Sequence, residues 1–175
     1  MSRQQSTSIE EMKRLVAELN SDDGQIRQQA REALVERGRM AIPVLTRALN
    51  DTNERVRWEA AKGLAAINLP EVAPALIGAL EDMHSGVRWI AAEGLIQLGR
   101  SALPSLMDAL IWHSDSAWIR DGAHHVLSNF SKHGQLRPPD KQVLAALDDI
   151  APAIKVPGAA GKALFAMEHP SSNEI

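Results

Sequence analysis

The sequence has no cysteine, which removes disulfides, thiolate nucleophiles and thiolate metal ligands. That absence fits a reducing compartment, and a cytoplasmic location is the expectation. Aromatic side chains are scarce: Trp58, Trp89, Trp112, Trp118, Phe130 and Phe165. No apolar run approaches the roughly 18 residues of a spanning helix, and the polar start carries no secretory pattern. No membrane partner is therefore expected. Neither sign of charge is in large excess. Nineteen basic and 22 acidic residues leave a net charge of -3. That balance is too mild to point to nucleic acid or an acidic substrate. The chain also lacks H-E-x-x-H, G-x-S-x-G and a glycine-rich phosphate loop. No catalytic residue, metal or cofactor is expected.

What the chain does have is Ala, Leu, Ile and Val in a recurring order. The segments IRQQAREAL from Ile26, VRWEAAKGL from Val56 and VRWIAAEGL from Val87 superimpose almost residue for residue. IRDGAHHVL from Ile119 is a weaker fourth copy. VPGAAGKAL from Val156 is a fifth that has lost the arginine. The first four are spaced 30, 31 and 32 residues apart. Each reads as a helix, because Val56, Ala60, Leu64 and Ile67 recur at three and four residues. Asp23, Asn53 and Ser85 stand where N-caps are needed. Gly38, Asn68 and Gly99 stand where a left-handed residue ends a helix.

A second helix follows each first one: AIPVLTRAL from Ala41, VAPALIGAL from Val72 and ALPSLMDAL from Ala102. Pro43, Pro74 and Pro104 fall near the helix start, where a missing N–H leaves no acceptor unpaired. Leu45 and Leu49, Leu76 and Leu80, and Leu106 and Leu110 form an apolar seam at i,i+4. Residues 9–20 match a second helix without its partner. Lys141 to Ile150 read as another second helix, and Ala159 to Met167 as a final first helix. One pair cannot bury its own apolar face, so neighbours must stack. The expectation is an all-α superhelix of about ten short helices in one domain over 9–168. It comprises a leading half repeat, four pairs and a trailing half repeat, with residues 1–8 and 170–175 flexible.

The V-R-x-x-A-A-x-x-L stretches around Arg57 and Arg88 and the A-x-P-x-L-x-x-A-L stretches around Pro74 and Pro104 resemble the short HEAT-like repeats first associated with phycobilin lyases. The resemblance covers roughly residues 9–167. It implies a HEAT-like solenoid with second helices on the concave face and first helices on the convex face. It does not define an activity, since such repeats serve scaffolds, adaptors and unrelated enzymes. Deoxyhypusine hydroxylase, on similar repeats, holds iron with His-Glu pairs, and this sequence has no His-Glu dipeptide.

Arg27, Arg57, Arg88 and Arg120 share one repeat position. Asp22, Asp51, Asp82 and Asp115 stand five to six residues before them. A ladder for phosphates is one reading. The nearby acids favour the other, in which each planar guanidinium ties a carboxylate and a loop carbonyl at a repeat junction. Trp58 and Trp89 occupy equivalent positions and serve either as an aromatic platform or as packing between helices. The six histidines show no metal-binding spacing: His124 and His125 are adjacent and diverge by about 100° on a helix.

The second helices become apolar along the chain. Ile77, Met107, Ile111 and Trp112, bordered by Arg47, Glu81 and Asp108, form a strip. It docks a protein or peptide if it faces outward, and belongs to the core if it lies beneath the fourth repeat. The polar connection from Ser131 to Asp140 is either a binding loop or a spacer that redirects the last repeat. The leading expectation is a non-catalytic protein-interaction scaffold or adaptor. The alternatives are a bilin lyase-like or chaperone component acting with a partner subunit, and a DNA-binding solenoid. Nucleic acid is the weaker option because Glu71, Glu81 and Asp108 interrupt Arg39, Arg47 and Arg100. Leu164, Phe165 and Met167 make the C-terminal helix the expected site of any weak self-association.

Overall fold

A computed structural model of the protein describes residues 3–170, with side chains from residue 10 onward. Among these residues there are ten α-helices and no strand. The helices are α1 (Arg3–Glu18), α2 (Gly24–Glu36), α3 (Ile42–Ala48), α4 (Glu54–Ile67) and α5 (Ala73–Ala79). They continue with α6 (Ser85–Leu98), α7 (Leu103–Trp112), α8 (Ala117–Lys132), α9 (Pro138–Leu147) and α10 (Pro152–Glu168). The first helix begins at Arg3, so its backbone runs through most of the 1–8 segment expected to be flexible. The remainder of that expectation, residues 1–2 and 171–175, lies outside the described residues.

The repeat is built as its periodicity dictates. The first helices α2, α4, α6 and α8 form one row, each packed against the next. The second helices lie beside them, with α1 against α3 and α5 against α7. A 3-10 turn leads into each of α3, α5 and α7 and places the repeat proline in the first helical turn. The seam leucines Leu45, Leu76, Leu80, Leu106 and Leu110 are buried, while Leu49, near the open end, is half-buried. Each fully buried leucine contributes roughly 1.5–3 kcal/mol relative to exposure.

Leu76 reaches α6 at Gly94, where an added Cβ would lie 2.9 Å from both Leu76 Cδ1 and Ala65 Cβ. Glycine there lets three helices meet closely. The chain reversals after α2, α4 and α6 use Gly38 (φ 53°), Asn68 (φ 50°) and Gly99 (φ 62°), the positive-φ positions expected at these ends. Asp23 and Asn53 cap their helices by accepting from Gln25 N and Arg55 N. Ser85 does not cap. It is the first residue of α6, and Asp82 Oδ1 instead accepts from His84 N at 2.8 Å.

The C-terminal third departs from the repeat. Helix α8 runs to Lys132 and α9 starts at Pro138, so the connection expected over 131–140 shrinks to 133–137. It is a pinned junction. Leu136 is buried, and the buried Asp140 carboxylate accepts from Arg137 N and Arg100 Nη1 at 2.9 and 2.8 Å. Arg100 also donates to Gln135 O at 2.6 Å.

Helix α10 packs chiefly on α7 and α9 and does not extend the row of first helices as expected. The reason lies at Pro157, which stands where earlier copies have arginine and sits inside α10. A proline has no N–H to donate, so the Ala153 carbonyl four residues back is left free. Ser114 Oγ, just after α7, donates to that carbonyl at 3.2 Å and ties α10 to the end of α7. Val156, Ala160 and Ala163 supply its buried face.

Candidate functional site

The four ladder arginines bind carbonyls of the loops that precede their helices. Arg27 Nη1 donates to the carbonyls of Ser21 and Asp22 at 2.7 and 3.0 Å. Arg57 Nη1 reaches Asp51 and Thr52 at 2.9 and 3.2 Å, and Arg88 Nη1 reaches Asp82 and Met83 at 2.8 and 3.1 Å. Arg120 repeats the contact on the Ser114 carbonyl. Each first helix thus clamps the loop that delivers it, which explains the fixed spacing. The acids pair differently from their order in the sequence. Asp82 is held by Arg57 of the preceding repeat, at 2.6 and 3.1 Å. Asp22 takes Arg55 at 2.8 Å, and Asp51 Oδ1 accepts from the Asn53 amide. Asp115 is exposed. Burial pushes the Asp82 carboxyl up, but Arg57 and the His84 amide outweigh it and hold it below its ordinary value. The bond to Asp82 raises Arg57 in turn.

A second ionic cluster had no signal in the repeat comparison. Glu59 is 3 % exposed and is held by Arg31, with Arg27 at 3.5 Å and Lys62 at 3.9 Å. Lys62 also lies 4.0 Å from the centre of the half-buried Trp58 ring. Arg88 stands 4.8 Å from the Trp118 ring, whereas Trp89 is exposed. His84, His124 and His125 each face one carboxylate: Glu54, Asp148 and Glu93, at 3.1, 2.8 and 3.0 Å. Among the described residues, no three His, Asp or Glu side chains gather as a metal site would require.

Among the described residues, hollows open at two places that bear on function. One, of about 280 Å³, lies between the starts of α4 and α6 and is lined by Glu54, Arg55, Trp58, His84 and Gly86. Its charged groups are engaged within the chain, Arg55 by Asp22 and His84 by Glu54. The other, of about 320 Å³, is a groove between second helices α5 and α7. Pro74, Ile77, Gly78 and Glu81 form one wall. Ser105, Asp108, Ala109 and Trp112 form the other, with His113 and Ile119 at one end. Both walls follow the i, i+3, i+4, i+7 spacing of one helix face. Gly78 leaves open space where a side chain would stand. Trp112 is 77 % exposed. Among the described residues, neither Glu81 nor Asp108 has a hydrogen bond or ion pair through its carboxylate.

The groove brings together Ile77, Glu81, Asp108 and Trp112 of the expected strip and excludes the rest. Met107 is fully buried and belongs to the core. Ile111 is half-buried against that core, and Arg47 stands exposed on α3, away from the groove. Comparing equivalent positions 77 and 107 selected the inward side of the helix. The outward side lies one residue later, at Gly78 and Asp108, because each step rotates by about 100°. Counting back from Trp112 in threes and fours would have found Ser105 and Ala109.

The fold and its paired ionic junctions define an all-α solenoid built from repeated helix pairs. A family model described as HEAT repeats matches residues 12–96, from α1 through most of α6. The HEAT-repeat-like character is thus shown over that part of the chain, and the groove spans its C-terminal edge. A search of curated proteins returned no match.

Proposed function

We propose that this protein is a non-catalytic interaction module that receives a segment of another protein in the α5–α7 groove. The observation that carries this reading is the groove itself: an apolar floor, an exposed tryptophan and two carboxylates with no partner among the described residues. At the repeat junctions Arg27, Arg57, Arg88 and Arg120 are engaged by loop carbonyls, and among the described residues no acid, base and nucleophile converge as a catalytic site needs. Nothing in the groove favours bilin handling. DNA binding is opposed by pairing, since Arg39 is held by Glu71 at 2.6 Å and Arg100 by Asp140 at 2.8 Å.

Affinity capture should compare wild type with a triple variant, Trp112→Ser, Glu81→Gln and Asp108→Asn. These side chains are exposed, so the variant keeps its helicity. Ile77 and Met107 are left intact because they are core. Loss of a specific partner from the variant supports the reading, and equal retention by both proteins overturns it.

Self-association through the C-terminal helix has its own observation. Ile154 and Phe165 are 81 % and 63 % exposed and lie three turns apart on one face of α10. Light scattering across a concentration series tests it: a dimer lost in Phe165→Ser is expected, and a monomer throughout overturns it.

A further inference from the structure

We infer that the segment received by the groove is positively charged, and that an arginine of that segment stacks on Trp112 while pairing with Asp108. This rests on the reading of the groove as a docking site and adds the chemistry of its occupant. Asp108 and Trp112 are four residues apart on α7, so the carboxylate and the indole lie side by side on one helix face. A guanidinium satisfies both at once. Its planar fork pairs with a carboxylate, and its face stacks on an aromatic ring. An ammonium ion can meet the same two kinds of group, as Lys62 does with Glu59 and Trp58, but as a hydrated point charge it lacks the planar fork and face that fit both closely.

Glu81 on the opposite wall adds a second negative charge. No lysine or arginine lines the groove, and the remaining titratable group there is His113. Three acids at the repeat junctions are paired within the chain: Asp22 with Arg55, Glu71 with Arg39 and Asp82 with Arg57. Glu81, just after α5, and Asp108 on α7 have no such pairing among the described residues and stand ready for an external cation. The apolar floor at Ile77 and Ala109 takes an aliphatic side chain beside the arginine. The occupant is thus a basic, amphipathic peptide, and an acidic or purely apolar helix is disfavoured by the two unneutralised carboxylates.

The test is an NMR titration of the whole protein with three 12-residue helical peptides. They share a leucine anchor and differ only at two flanking positions, which carry arginine, its neutral isostere citrulline, or glutamate. The arginine peptide should shift the resonances of Gly78, Ala109 and Trp112. Citrulline should weaken binding at least tenfold, and glutamate should abolish it. Asp108→Asn should weaken the arginine peptide by a similar factor and leave the citrulline peptide unchanged. Equal binding of the arginine and citrulline peptides overturns the inference while sparing the docking site. Absence of groove shifts with all three overturns the docking site as well.

Discussion

Asp82 and Arg57 show how much a single pair can matter here. Both side chains are largely buried, at 7 % and 15 % exposure, and they join one repeat to the next. Asp82→Ala should destabilise the protein by about 3 kcal/mol, because it leaves the guanidinium without its partner. Urea unfolding measures this. The pH dependence follows from the lowered carboxyl. A group with a depressed folded-state pKa contributes stability that is complete above its unfolded value, here 3.8. That stability is lost as pH falls through the folded value. The gap between wild type and Asp82→Asn should therefore be widest near neutrality and close below about pH 3.8. A gap that persists undiminished in acid would show that the pair's charge is irrelevant. Regular arginine spacing was visible in the sequence as a junction device. Its partner was not, because the aspartate that precedes it at the repeat position, Asp51, is used to cap a turn while the acid from the following repeat arrives only by stacking.

Single helices carry the next level of control, and two glycines separate packing from propensity. Gly94→Ala should destabilise by about 1–3 kcal/mol, since its Cβ would overlap Ala65 and Leu76 in a close-packed junction. Gly158→Ala, in the open on α10, should stabilise by up to about 1 kcal/mol through helix propensity alone. Thermal melts of both variants check the contrast; a stabilised Gly94→Ala would mean the helices can separate at no cost. At the end of α7, Ser114→Ala should cost about 1 kcal/mol and speed hydrogen exchange in α10, by removing the one hydroxyl bound to the carbonyl that Pro157 frees. The helices themselves were legible from apolar periodicity, prolines and left-handed residues. The direction of α10 was not. A lost arginine at Pro157 is visible in sequence, but its consequence depends on Ser114 arriving from another turn.

Across the whole molecule, the solenoid is regular until α7 and then closes on itself. Arg100 holds the junction of α8 and α9 against the turn before α7, so Arg100→Ala should leave the Asp140 carboxylate buried with one donor fewer. Limited proteolysis should then cut within 133–137 several-fold faster than in wild type, and an unchanged cleavage rate would show that Leu136 alone suffices. The groove belongs to this scale too, because α5 and α7 each supply one wall. The sequence by itself determined the helix pairs, their order and their stacking, since a 30-residue return of apolar faces has no other way to leave water. Tertiary structure alone decided which side of α5 and α7 faces outward. It also decided which acids stay unpaired and where the last helix docks. Those outcomes depend on rotations of a single residue and on partners 25 to 40 positions away, which no local spacing encodes.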